Sequence, residues 1–284
     1  GGGDDTLGQG TADGGTEAPL YPQRGPILNA VQIDDAVYTI GIGAHRYQDG
    51  TWTNLDKEYT TVKYGYGIYG RQHNDIYAVG DNMVLHYDGR SWQWVNSGLQ
   101  ETLYSVFVEE NGDVIAVGEG PVIVQFDGLE WTKRQMPYYA YALTDVTGIG
   151  TTIFAVGDNG MVAIRKADHW YITQLAEGDL MGLWAFDEEH VYAVTNIPNM
   201  IYVYDGHRWD KQTIEGPQLP SMASVWGTSL SNLFILDSNG TLARFDGRSW
   251  SEEQRIIFAA MTTVCGTGTE VLTAGGYGSI LYHR

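Results

Sequence analysis

Cysteine is almost missing: Cys265 is the only one in 284 residues. One thiol excludes an intrachain disulfide and cannot build a structural zinc site. Cys265 lies in an apolar strand register, where a small buried hydrophobe fits better than a reactive thiol. Basic residues are also scarce, 16 against 35 acidic ones, for a formal charge of −19. So acidic a chain repels phosphate backbones and anionic headgroups, which makes nucleic acid an unexpected partner and a solvated surface the plain reading. No apolar run approaches the roughly 18 to 20 residues of a membrane-spanning helix. Long amphipathic helical patterns are lacking too, so no G-x-S-x-G, P-loop or dinucleotide fingerprint has the strand-turn-helix context it needs. The seven histidines (His45, His73, His86, His169, His190, His207 and His283) stand apart, with no pair at metal-ligand spacing. Neither a metal nor a cofactor is expected.

What is present is a repeat. Ile153-Phe154-Ala155-Val156-Gly157 runs into Asp158-Asn159-Gly160 and leaves as Met161-Val162-Ala163-Ile164. An apolar run without helical period, followed by residues that tolerate positive φ, reads as a β-hairpin. The run recurs from Val37, Ile76, Val114, Val191, Leu233 and Val271, at intervals of 38 to 42 residues. A period near 40 with only strand signals inside it predicts a β-propeller, here all-β with seven four-stranded blades. Each unit has a first strand marked by one apolar column: Val31, Ile68, Val106, Val146, Leu183, Val225 and Val264. Its third strand leads to an Asp-Gly turn and a Trp, as in Tyr87-Asp88-Gly89-Arg90-Ser91-Trp92. Trp52, Trp92, Trp131, Trp170, Trp209 and Trp250 thus open the outermost strands, where bulk covers a blade edge, and are read as structural. Unit four has lost the Asp-Gly and reads Lys166-Ala167-Asp168-His169-Trp170.

Residues 1–15 are Gly, Asp and Thr with little apolar content and read as a flexible tether, leaving 16–284 as one propeller domain. Unit seven stops at Ile280-Leu281-Tyr282-His283-Arg284, before any Asp-Gly turn or Trp. Counting back from Val31 makes Glu17-Ala18-Pro19-Leu20-Tyr21-Pro22 the candidate for its outer strand, closing the ring end to end and covering an exposed edge. The opening Gly1-Gly2-Gly3-Asp4-Asp5 resembles the residues after the lipidated Cys of bacterial lipoproteins. That resemblance implies an extracytoplasmic, lipid-anchored domain, at the cell surface, outer membrane or periplasm. A vector-derived leader is the alternative.

The unit, read from Val225-Trp226-Gly227, Ile153 to Gly160 and Phe245 to Trp250, resembles bacterial propeller repeats of the YVTN, kelch and BNR-like superfamily. Asp-Gly-x-x-Trp is also similar to the Asp-box of BNR repeats, although Tyr or Phe stands where that motif opens with Ser or Thr. The resemblance covers about residues 27 to 284 and speaks for fold, since propellers host many functions.

Paired carboxylates (Asp34-Asp35, Glu109-Glu110, Asp187-Glu188-Glu189) fall in equivalent first-to-second-strand turns and do not converge as a glycosidase pair would. The stronger signal is aromatic. Connections from outer strands to the next inner strands carry Tyr64 and Tyr66, then Tyr138, Tyr139 and Tyr141, then Met181, Met222 and Phe258. Tyr, Met and Phe on loops are characteristic of protein interface cores, though they can also pack between blades. The expectation is a non-enzymatic propeller that presents these residues to a protein partner as an interaction scaffold or subunit of a surface assembly. A glycan-binding, lectin-like propeller is the alternative, and a sialidase-like hydrolase a third reading.

Overall fold

A computed structural model describes residues 25–55, 64–120, 122–136, 141–175, 177–255, 260–267, 270–276 and 280–283. Every repeat run becomes the second strand of an antiparallel sheet. Thr152–Gly157 is buried at all six positions, as is Ala36–Gly41. A strand sandwiched between neighbours on both faces has no polar side, which is why these runs show no alternation.

Blade 1 holds β1 (Ile27–Ile33), β2 (Ala36–Gly41), β3 (Gly43–Gln48) and β4 (Thr51–Asn54). Blade 2 holds β5 (Gly65–Gln72), β6 (Asp75–Gly80), β7 (Met83–Tyr87) and β8 (Trp92–Trp94). Blade 3 holds β9 (Leu103–Val108), β10 (Val114–Gly118), β11 (Val122–Phe126) and β12 (Trp131–Gln135). Blade 4 holds β13 (Leu143–Ile149), β14 (Thr152–Gly157), β15 (Met161–Lys166) and β16 (His169–Gln174). Blade 5 holds β17 (Leu180–Asp187), β18 (His190–Thr195), β19 (Met200–Tyr204) and β20 (Trp209–Thr213). Blade 6 holds β21 (Met222–Ser229), β22 (Asn232–Asp237), β23 (Thr241–Phe245) and β24 (Trp250–Arg255). A last sheet has three strands only, β25 (Met261–Gly266), β26 (Val271–Gly275) and β27 (Ile280–His283).

The seven four-stranded blades expected are therefore not found: among the described residues six sheets have four strands and the last has three. In the other six sheets the fourth strand is written as a turn followed by Trp, and no described residue supplies that pair to the three-stranded sheet. Glu17 to Pro22, expected to complete that sheet, and the tether at 1–15 lie outside the described residues. The innermost strands still contact one another in a closed circle, β25 lying between β21 and β1. Apolar clusters fill each boundary; Tyr38, Ile40, Ile68 and Leu85 sit between blades 1 and 2, and Ile27, Val37, Cys265 and Leu272 between blade 1 and the three-stranded sheet. Cys265 is buried there, and burial pushes its thiol up to about 12, so it behaves as a hydrophobe.

The ring has two chemically different ends. At one, second strands turn into third strands and outer strands return inward. Here Asn159 and Gly160 take φ of 54° and 69°. The glycine before this turn is fixed by close approach, since a Cβ on Gly157 would sit 2.0 Å from the Ala142 carbonyl oxygen. At the other end lie the first hairpins and the Asp-Gly turns. Asp127 Oδ1 accepts from the Leu129 and Glu130 N–H groups, both at 2.9 Å, while Gly128 takes φ 90°. Asp88, Asp205 and Asp246 do the same in their blades.

This second end is laced across blade boundaries. His73 reaches Tyr38 Oη at 3.0 Å and Asp34 at 3.3 Å. Arg71 Nη1 donates to the Glu109 and Glu110 carbonyls, at 3.2 and 2.8 Å. Glu109 in turn receives a two-pronged bond from Arg165, with Nη1 at 3.0 Å from Oε1, and both side chains are buried. Thr152 Oγ1 donates to Glu188 at 2.8 Å. Near the ring axis, Asp145 joins three blades, accepting from Ser105 Oγ (2.7 Å), Val146 N (2.9 Å) and Leu183 N (2.8 Å).

Candidate interaction face

Each innermost strand carries a β-bulge close to the first end. In blade 2, Gly65 pairs with Gly80 and Gly67 with Val79, leaving Tyr66 as the extra residue. The same count leaves out Leu28, Tyr104, Thr144, Met181, Ala223 and Thr262. A bulged residue is unpaired and its side chain is re-aimed away from the regular pleat. The pairing also corrects the apolar column of blade 1, where Ala30, not Val31, matches Ile68.

Large side chains fill the bulge in blades 2, 3 and 5. Tyr66 stacks on Tyr64 with centroids 6.4 Å apart and meets Tyr104 edge-on at 5.6 Å. Its hydroxyl donates to Asp81 Oδ2 at 3.4 Å, while Thr102 Oγ1 lies 3.5 Å from Oδ1. Asp81, Glu119 and Asp158 occupy one position in three successive blades, the residue after the strand-ending glycine. Each is placed by its own N–H, bonded to the Tyr64, Thr102 or Ala142 carbonyl. Burial, and then Glu119, Asp158 and Asp81, push the Tyr104 phenol above its ordinary value; burial and Asp81 do so for Tyr66. Both phenols thus stay neutral donors. Among the described residues, none of these three carboxylates has an ion-pair partner.

Of the expected residues, Tyr64 and Tyr66 meet here. Tyr64, Tyr141 and Met181 are exposed, at 42%, 41% and 38%, and Tyr66 is half-buried. Met222 is different: it is fully buried at the start of β21, before that strand's bulge, in the core between blades 5 and 6. It anchors a strand and cannot touch a partner. Tyr138, Tyr139 and Phe258 lie outside the described residues. Sequence reasoning missed Tyr104 and Glu119 and reads Asp81 and Asp158 as turn residues only; their repeat positions are the signal that finds them.

Trp92, Trp131, Trp209 and Trp250 open their outer strands, and Trp52 and Trp170 stand one residue in. Trp52, Trp92, Trp131, Trp209 and Trp250 pack on a third-strand ring at 5.0 to 5.2 Å. Trp170 instead pairs in register with Arg165, the single non-aromatic residue at that position.

Among the described residues, no three of His, Cys, Asp and Glu group as metal ligands, and no histidine lies on an innermost strand. The face offers aromatic stacking, phenolic donors and unpaired negative charge.

No family model matches the chain, and no curated protein does. Solved structures do share the fold. YCF48 bound to a D1 peptide has a TM-score of 0.74 at 15% identity, over 94% of either chain. Virginiamycin B lyase from Staphylococcus aureus has 0.80 at 14%, over 95% of this chain and 98% of that one. The WD40 β-propeller domain of Doa1 has 0.76 at 14%, over 95% and 96%. At such identities the likeness defines a β-propeller and nothing narrower, and these neighbours include one named as an enzyme.

Proposed function

We propose that this propeller is a non-enzymatic interaction scaffold whose first end takes a protein segment bearing Arg or Lys side chains. The observation that carries the reading is the Tyr64–Tyr66–Tyr104 array beside Asp81, Glu119 and Asp158. A guanidinium can lie over a tyrosine ring while a carboxylate pairs with its N–H groups. Tyrosine supplies contact area at little cost in side-chain entropy, and a closed ring loses little freedom on docking. Neighbours that are WD40 domains, or YCF48 with its D1 peptide, support protein partners at the level of the fold. An extracytoplasmic, lipid-anchored location belongs to the same proposal and rests on the opening residues alone; membrane fractionation of the native protein tests it.

The binding test is a cross-linking pull-down from the native membrane or surface fraction, comparing the wild type with Tyr64→Ser/Tyr66→Ser. The expected result is one stoichiometric protein, cross-linked through a basic segment and lost with the variant. Failure to recover any stoichiometric protein, or equal recovery by the variant, overturns the reading.

A further inference from the structure

A second site lies on the rim of the ring, away from the face above. Between the outer halves of blades 4 and 5 runs a groove of about 570 Å³, a volume that suits a small ligand. One wall is the face of β15 and β16 that carries Lys166, Tyr171 and Thr173; the other is Tyr204 and the turn bearing His207 and Arg208.

Two of these residues break the repeat. Lys166 stands where the other turns carry Asp88, Asp127, Asp205 and Asp246, a reversal of charge. Tyr171 follows the outer-strand Trp where the other blades have Thr, Gln, Asp or Ser. The lost Asp-Gly leaves a tight hairpin in which Lys166 pairs with His169 and Ala167 takes φ 51°. That conformation is unusual for alanine, and no side chain stabilises the turn as Asp127 does in blade 3.

Both departures face the same groove. The Lys166 ammonium lies 3.4 Å from Tyr204 Oη and 5.8 Å from its ring centroid, with no carboxylate within ion-pair range among the described residues. Tyr171 exposes 58% of its surface. Arg208 is oriented by Asp210 at 3.1 Å.

We infer that this groove binds an acidic sugar residue of a polysaccharide, of the hexuronate class. The Tyr171 ring is a platform for the apolar face of a pyranose, Lys166 pairs with the carboxylate, and Thr173 supplies a hydroxyl for hydrogen bonds, while Tyr204, whose hydroxyl donates to the Gly206 carbonyl at 2.7 Å, holds the ammonium in place. A peptide is a poorer fit. Its natural dock is the free edge of β16, where backbone pairing needs neither Lys166 nor Tyr171.

Saturation-transfer NMR with tetragalacturonate tests the site, and does so independently of the protein-binding face. Transfer to pyranose protons is expected, with cellotetraose at least tenfold weaker. Lys166→Asp, which restores the repeat, and Tyr171→Thr should each weaken binding at least tenfold while leaving the melting temperature unchanged. No transfer at millimolar ligand, or transfer indifferent to both substitutions, overturns the proposal. Displacement by equimolar sulfate would reveal a plain anion site, and displacement by oligoglutamate an acidic-peptide site; either result also overturns it.

Discussion

The two ends of this ring use charge in opposite ways. At the end with the first hairpins and Asp-Gly turns, polar side chains are satisfied across blade boundaries: the His73 ring with Asp34, Arg71 with the Glu109 and Glu110 backbone carbonyls, and Arg165 in an ion pair with Glu109. At the opposite end, Asp81, Glu119 and Asp158 have no such partners, and tyrosines stand beside them. Cross-blade pairs hold the ring together, whereas unpaired carboxylates and half-exposed rings leave binding capacity unused. One end locks and the other receives.

The sharpest way to break this contrast is at the buried pair. Glu109→Ala leaves the Arg165 guanidinium buried without its counter-charge, and should cost about 3–5 kcal/mol in urea denaturation. Replacing both together, Glu109→Val with Arg165→Tyr, restores the aromatic residue of the other blades and should recover all but about 1 kcal/mol. A double variant as unstable as the single one would show that the pair does more than satisfy itself.

Next in size is Asp145, which sits near the axis and belongs to neither end. Asp145→Ala strands the Leu183 N–H and Ser105 hydroxyl and should cost about 1–3 kcal/mol. The residue as a whole is half-buried, yet its carboxyl is enclosed by three blades, and burial pushes it up to about 6 against the opposing effect of its hydrogen bonds. Between about pH 4 and about pH 6 the native state therefore holds a proton that the unfolded chain, near 3.8, has released. Stability relative to Asp145→Asn should rise as pH falls from about 7 to about 4. A flat difference across that window would refute the assignment.

The turn aspartates respond in the opposite sense. Backbone N–H donors hold the exposed carboxyls of Asp88, Asp127, Asp205 and Asp246 below their ordinary range. Their contribution is present above about pH 4 and fades as pH falls below it. Asp127→Ala should lower the melting temperature less than Asp145→Ala and flatten the acid limb of the stability curve. The smallest stability effect belongs to Tyr64→Ser/Tyr66→Ser, under about 1 kcal/mol in the same denaturation series. A loss as large as that of Glu109→Ala would make those rings core and erase the difference between the ends.

Much of this is legible in the sequence. The second strands announce themselves as fully apolar runs, the turns as Asp-Asn-Gly and Asp-Gly, and the outer strands through Trp. Tyr64 and Tyr141 lie in outer-to-inner connections, as the turn chemistry implies, whereas Tyr66 and Met181 lie at bulges inside β5 and β17. Tyr104 escaped because a bulge interrupts the period-two count that assigns faces, so nothing in Leu103-Tyr104-Ser105 says which residue is left unpaired. Met222 differs for another reason, an element boundary: Pro220-Ser221-Met222 reads as a continuous connection although β21 begins at its last residue.

The fold class was determined by sequence alone, because hydrophobic period and turn chemistry are local and recur in every unit. The tertiary structure decided the pairing of Arg165 with Glu109, the meeting of Tyr66 with Tyr104 and the closure of the groove by Lys166 against Tyr204. Those depend on which blade becomes whose neighbour, and the residues that meet are distant in the chain, Lys166 and Tyr204 by 38 positions and Glu109 and Arg165 by 56.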